Sequence, residues 1–220
     1  MITLHHLENS RSQRILWLLE ELGVEYTIQH YKRNPKTMLA PPEMKKIHPL
    51  GKSPILTDGD NVLAESGAII EYLVDNYGPQ FKPEPGTPAA LRYRFWLHYA
   101  EGSVMPPLLL RLVFNKVRTA PMPFFLKPVA RGIADKVNKA FIQPQLDLHL
   151  GYIDDELRQF PWFAGESLSG ADFQMSFPLE GAASRVDMGD RYPHIQAFLE
   201  RIHSLPTYKA ALEKGGPYKL

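Results

Sequence analysis

Ile2-Thr3-Leu4-His5-His6-Leu7, then Glu8-Asn9-Ser10-Arg11-Ser12, then Gln13-Arg14-Ile15-Leu16-Trp17-Leu18-Leu19-Glu20-Glu21-Leu22-Gly23 is the stretch that decides the architecture. The first six residues are β-prone and the next five form a polar turn. Ile15, Leu16, Leu18, Leu19 and Leu22 then recur at the spacing that puts one wide apolar face on a helix. Gly23 suits the left-handed position just past a helix end, where a Cβ is costly. Val24 to His30 returns to a strand-like pattern. Such a β-α-β opening predicts two parallel strands joined by a crossover helix.

Outward from this unit, residues 34–50 are rich in proline (Pro35, Pro41, Pro42, Pro49) and admit at most one short, irregular helix. Ser53 to Leu63 reads as a hairpin turning at Asp58 to Asn61. Glu65-Ser66-Gly67 precedes a second apolar helix through Ala68, Ile69, Ile70, Tyr72 and Leu73. Phe81 to Pro88 is the best linker in the chain. Beyond it the pattern is helical. One helix is predicted from Ala89 to about Val104, to be kinked or ended by Pro106 and Pro107. A long one runs from Val129 to Glu156, bent near Pro144. A buried one contains Ser176 to Val186, and two short ones lie near 195–204 and 210–213. Ser169-Gly170-Ala171-Asp172 has capping-box spacing, with Leu168 and Phe173 at the staple positions. The expected fold class is α/β plus all-α, with domains at 1–79 and 88–220 and a linker at 80–87.

Composition narrows the chemistry. Among 220 residues there is no cysteine, which removes disulfides, cysteine nucleophiles, Cys-ligated metals and CxxC redox centres. Lys plus Arg is 25 and Asp plus Glu is 24, a net charge of +1 that offers nothing global to nucleic acid. The eight histidines form no HExxH or other compact cluster, so no metal is expected. There is no Walker lysine motif, GxGxxG fingerprint or GxSxG elbow. The longest apolar stretch, Val104 to Leu110, is broken by Pro106 and Pro107 and is far too short to span a bilayer. The amino-terminal residues do not read as a secretory leader, so an intracellular protein is expected.

Several residues could carry chemistry. Pro54, at a strand entrance, is either an ordinary trans proline or a cis one in a tight turn that opens the backbone to an extended ligand. Ser66 is a candidate N-cap whose following N–H groups suit a carboxylate, and Glu65 would complement a neighbouring ammonium. Ser10 and Ser12 lie at the carboxyl edge of the first strand, where ligands commonly bind, or else they cap the helix. Arg11, Lys45, Lys46 and Lys52 form either a solvated face or a small-anion site. Pro121-Met122-Pro123-Phe124-Phe125 is unusually apolar for a loop and reads as a pocket cover, a dimer contact or a membrane-surface contact.

Taken in order, the β-α-β opening, the proline-rich segment, Ser53-Pro54 before a hairpin, Glu65-Ser66 before a helix, the linker and Ser169-x-x-Asp172 resemble the soluble glutathione transferases. The loop through Ser10 is similar to that of a microbial, serine-type branch. The resemblance covers nearly the whole chain. It implies a thioredoxin-like N-terminal domain that binds glutathione and a helical C-terminal domain lining an acceptor pocket. It places Ser53 and a cis Pro54 on the cysteinyl backbone of glutathione and Glu65 and Ser66 on its γ-glutamyl end. Lys52 and His48 become candidates for its glycine carboxylate. Counting back from Arg14 puts Ser10 against the sulfur, with Asn9 and Ser12 as alternatives in the same loop. The acceptor pocket is expected from Tyr99, Met105, Pro106, Leu109, Phe114 and Phe177. The activity implied is conjugation of the glutathione thiolate to small hydrophobic electrophiles, with a glutathione-dependent peroxidase activity beside it. A glutathione-binding or protein-interaction member without catalysis is the alternative. A cytoplasmic homodimer without metal, nucleic-acid partner or integral membrane segment is also implied.

Overall fold

The computed structural model describes every residue except Asp187, Pro217, Lys219 and Leu220. Strand β1 (Ile2–Leu7) pairs in parallel with β2 (Tyr26–Tyr31), from Ile2 against Tyr26 to Leu7 against Tyr31. Helix α1 (Ser12–Leu22) makes the crossover between them and ends on Gly23 at φ 63°, as the sequence predicts. Strand β3 (Ile55–Asp58) runs antiparallel to β1, and β4 (Asn61–Ala64) antiparallel to β3, so the sheet order is β2-β1-β3-β4. Helix α2 (Ser66–Tyr77) follows. Residues 34–50 hold a single short 3-10 turn, Pro42–Lys46, pinned by Met44 inside a small apolar cluster with Leu7 and Ile55.

The helical half contains α3 (Pro88–Tyr99), α4 (Met105–Thr119), α5 (Lys127–Val137), α6 (Gln143–Gln159), α7 (Gly170–Ala183), α8 (Pro193–Ser204) and α9 (Pro206–Gly215). Pro106 and Pro107 do not end a helix, one of the two outcomes expected of them; α3 passes through a change of register into α4. A wide π-helical turn at Ala100–Val104 slips the hydrogen-bond register just before them. The two prolines then occupy the first turn of α4, where an N–H donor is dispensable. A second such turn, Asn138–Ile142, joins α5 to α6 beside Pro144.

Helix α1 is buried more completely than its periodicity implies. Every residue from Ser12 to Leu19 is buried, because the sheet covers one side and α7 and α9 the other. Trp17 meets the rings of Phe173 and Tyr208 edge-on, at 4.4 and 5.5 Å. One apolar core therefore runs from Ile2 and Leu56 through α1 to Phe173, Phe198 and Ala211. At about 1.5–3 kcal/mol for each large apolar side chain, this shared core locks the two halves together. The capping box forms as read: Asp172 Oδ2 accepts from the Ser169 backbone N–H and hydroxyl, each at 2.8 Å. Its other oxygen accepts the Phe163 N–H at 2.8 Å, so one carboxylate both starts α7 and ties down the preceding loop.

Candidate active site

The carboxyl end of β1 delivers residues 8–11 to the sheet edge, and Ser10 lies beneath them, 5% exposed. The residue before α1 is Arg11, which makes no side-chain cap; Ser10 takes that part, its carbonyl accepting the Gln13 N–H at 3.2 Å, and its hydroxyl also bonds to that of Ser12. Ser10 Oγ lies 2.7 Å from the Leu7 carbonyl, 2.8 Å from Ser12 Oγ and 2.9 Å from Ser53 Oγ, and it accepts the Ser12 N–H at 3.2 Å. Ser12 Oγ continues the chain to His6 Nδ1 at 2.9 Å, and His6 Nε2 reaches the Gly215 carbonyl at 3.1 Å.

Proton accounting fixes the direction of this chain. A carbonyl only accepts, so Nε2 of His6 carries the proton and Nδ1 accepts the Ser12 hydroxyl hydrogen. Ser12 Oγ can then take a hydrogen from Ser10 but cannot give it one. The Ser10 hydrogen therefore points inward, to Leu7 or Ser12, while Ser53 donates to Ser10. His6 stays neutral because burial, reinforced by the neighbouring His30, lowers its pKa to about 4 despite the Gly215 bond.

That shift makes a pH prediction. The unfolded histidine titrates near 6.5, so between about pH 6.5 and 4 the unfolded chain binds a proton that the folded chain refuses. Stability supplied by neutral His6 is complete above pH 6.5 and is lost as pH falls, by about 3 kcal/mol at the lower limit. Urea unfolding of wild type and His6→Gln at pH 7 and pH 5 measures it. The wild type is expected to lose stability over that interval by more than the variant does; equal losses would remove His6 as the cause.

Ser10 sits at one wall of a cavity of about 460 Å³ lined by Leu7, Asn9, Arg11, Arg33, Leu39, Ala40, Lys45, Leu50, Gly51, Lys52, Ser53 and Phe177. Its size is that of a small-ligand site. Its charge is one-sided: Arg11, Arg33, Lys45 and Lys52 face it, and no carboxylate is among its lining residues. Of the two readings of the basic constellation the small-anion site fits, with Lys46 outside the lining and Arg33 added. Arg33 also braces the loop, donating to the backbone carbonyls of Glu8 (3.2 Å), Asn9 (3.0 Å) and Met38 (3.0 Å). Gly51 turns the wall at φ +55°, and a Cβ there would stand 2.6 Å from Lys45 Cγ.

The Ser53–Pro54 bond is cis, the alternative that the family resemblance implies. Ile55 pairs with Ala64, so the hairpin brings the strand entrance after Pro54 beside the strand end before Glu65. Glu65 itself, at φ 70°, is the residue preceding α2, and Ser66 is the first helical residue rather than the cap. Ser66 is buried and Glu65 is exposed. His48 lies outside the cavity lining, its Nδ1 accepting the Leu50 N–H at 3.4 Å.

Of the expected acceptor residues, Phe177 lines the cavity, where the guanidinium groups of Arg11 and Arg14 lie 5.3 and 5.0 Å from its ring. Tyr99 faces a separate groove with Leu91, Phe95 and His98 and approaches His149 Nδ1 at 2.5 Å. Met105 and Phe114 pack against the core, and Leu109 and Pro106 are exposed.

Sequence reasoning missed Glu101. It projects from the π-helical turn, receives Arg11 Nε at 2.9 and 3.0 Å and lies 2.5 Å from Arg14 Nη2. Burial pushes its carboxyl up, but the two guanidinium groups outweigh that and hold it below the usual carboxylate range. No helical spacing announces a residue whose partners come from the other half of the chain.

A larger cavity of about 600 Å³ lies between α7, α8 and α9. Its carboxylate, Glu180, is already taken by His203 Nε2 (3.0 Å) and by the hydroxyls of Tyr208 and Tyr218. Among the described residues no group of three or more His, Cys, Asp or Glu is placed to hold a metal.

Residues 1–75 match the family model for the glutathione S-transferase N-terminal domain, and residues 122–215 match that for the C-terminal domain. The chain belongs to the glutathione S-transferase family. Glutathione S-transferase 3 of Schizosaccharomyces pombe is 39% identical over 97% of this chain and 88% of its own length. Glutathione S-transferase 1 of Saccharomyces cerevisiae is 37% identical over 97% and 95%. A crystal structure of a glutathione S-transferase from Actinobacillus pleuropneumoniae superposes with a TM-score of 0.81 at 40% identity, covering 98% of this chain and 93% of that one. Family membership gives the N-terminal half its thioredoxin-like fold, here the four-stranded mixed sheet with α1 and α2.

Proposed function

We propose that this chain binds glutathione in the cationic cavity, ionises its thiol against Ser10 and transfers the thiolate to small hydrophobic electrophiles. The observation that carries the reading is Ser10 Oγ beside Ser53 Oγ, at the wall of a cavity lined by four cations and no acid. Glutathione carries two carboxylates and one ammonium, and its thiolate adds another negative charge, so the lining complements its net charge. Ser53 and Pro54 would pair with the cysteinyl backbone, Glu65 with the γ-glutamyl ammonium and Ser66 with the adjoining carboxylate. Lys52, with His48 nearby, would take the glycine carboxylate. Phe177, the one expected acceptor residue that lines the cavity, would face the electrophile. In the transfer the sulfur forms a bond to the electrophilic carbon, the leaving group departs with its electron pair, and the thiol proton goes to water. We extend the reading to domains at 1–79 and 88–220, a cytoplasmic homodimer and a peroxide-reducing side activity of the same thiolate.

The inward hydrogen of Ser10 favours one other reading, a member that holds glutathione without activating it. Titration calorimetry with glutathione, followed by an aryl-halide conjugation assay, separates the two. Binding with saturable turnover supports the transferase. Binding without turnover on aryl halide, peroxide or disulfide supports the alternative. No binding at millimolar glutathione removes both.

A further inference from the structure

We propose that the tip of the α4–α5 hairpin docks onto a bilayer surface carrying anionic lipid. The connection between these helices presents Phe124 at 83% exposure and Phe125 at 62%, with Leu126, Val129 and Ile133 at 45, 58 and 54% along the start of α5. Single exposed apolar side chains are ordinary, but five within ten residues form a patch that calls for a partner. The loop is braced for presentation rather than floppy. Pro121 and Pro123 restrict it, and the Leu126 and Lys127 N–H groups bond back to the Pro123 and Phe124 carbonyls at 3.0 and 3.3 Å. Little conformational entropy is then lost when the rings are buried.

Charge points to the occupant. Residues 116–139 contain six basic side chains (Lys116, Arg118, Lys127, Arg131, Lys136 and Lys139) against one acidic, Asp135, in a chain whose total is +1. All six are exposed. Arg118, Lys127 and Arg131 surround an open cup of about 550 Å³ at the hairpin end, with Thr119, Ala120 and Pro121. Asp135 neutralises part of this by pairing with Arg118 at 3.2 Å, which leaves Lys127 and Arg131 facing the cup. Cations around a cup suit lipid phosphates while the adjacent Phe pair enters the acyl boundary, the two-signal arrangement of surface-binding helices.

A second copy fits less well, since a two-fold contact would set one basic cup against another. Nucleic acid fits less well too. Phe124 and Phe125 stand edge to face (88°) among aliphatic side chains, which is not an open stacking platform. The proposal stands independently of the glutathione site.

Co-sedimentation of the full chain with vesicles of phosphatidylcholine, and of phosphatidylcholine mixed with phosphatidylserine, tests it. Binding is expected to the anionic vesicles alone and to weaken as salt is raised. With about fivefold affinity per cation, the Lys127→Gln/Arg131→Gln variant should bind roughly 25-fold more weakly. Phe124→Ser/Phe125→Ser should bind about 100-fold more weakly while its glutathione affinity is unchanged. Three results would each overturn the proposal. The first is no binding to anionic vesicles at low salt, with or without salt-sensitive DNA binding. The second is binding that neither variant weakens. The third is loss of an oligomer in the phenylalanine variant, which would assign the patch to a subunit contact.

Discussion

Replacing Ser10 by alanine is expected to lower kcat/KM for aryl-halide conjugation by about 8- to 25-fold at pH 7. A free cysteinyl thiol ionises near 8.5, so only a small part of bound glutathione is thiolate without help. A hydrogen bond to a charged acceptor contributes about 1.5–3 kcal/mol, or one to two pKa units, which raises the thiolate share at pH 7 from about 3% to about 25–75% and so gives the fold-change just stated. Ser10 must first release the Leu7 carbonyl or Ser12, a neutral bond of about 0.5–1.5 kcal/mol. The charged acceptor wins, so the hydroxyl turns outward when sulfur arrives. Ser53 and the Ser12 N–H still donate to Ser10 Oγ after the turn, which holds the oxygen in place. The pH dependence separates this role from a folding defect. In Ser10→Ala the activity should climb with pH as the thiol ionises unaided, approaching wild type at alkaline pH. A uniform loss at all pH values would count against thiolate stabilisation. Unchanged activity in Ser10→Ala, with losses in Ser12→Ala or Asn9→Ala, would move the role along the loop.

How much of this was legible in the sequence depends on the range of the interactions. The Gly23 helix end and the Ser169–Asp172 capping box follow from residues within a few positions of each other, and the parallel β1–β2 pair from one short β-α-β unit; each forms as read. Pro106 and Pro107 mark an interruption in the sequence but not its form, because the compensating event, a π-helical turn, lies upstream where no residue pattern marks it. The serine loop was visible as a loop but not as a chain from Ser53 to Gly215. Its links join positions 43 and 209 residues apart. Charge balance over the two halves likewise concealed the local concentration of cations on the α4–α5 hairpin.

Glu101→Ala is expected to cost about 3 kcal/mol of stability. Arg14 has no side-chain exposure, and its neighbours are the Gln174 carbonyl (2.6 Å), Gln174 Oε1 (2.7 Å) and Glu101. The two Gln174 oxygens carry only partial charge, and Arg14 Nε has no partner at all. Removing Glu101 leaves a guanidinium buried without a counter-ion, a loss of about 3–5 kcal/mol in comparable sites. Because the Glu101 side chain is 30% exposed and water can enter in its place, the lower end applies. For a chain of this size that is a fall in Tm of roughly 6–12 °C. The pair also gives the wild type an acid limit. Glu101 has a lowered pKa in the folded state, so its contribution is complete above the unfolded carboxylate value and is lost as pH falls through the folded one. Thermal melts at neutral and acid pH read both effects. Glu101→Ala should melt well below wild type at pH 7, with the gap narrowing at acid pH as the wild-type carboxylate protonates. A gap that stays constant with pH would mean the side chain acts through packing alone. Arg11 shares the carboxylate and lines the cavity, so the variant should also bind glutathione more weakly, linking the junction of the two halves to the site they enclose.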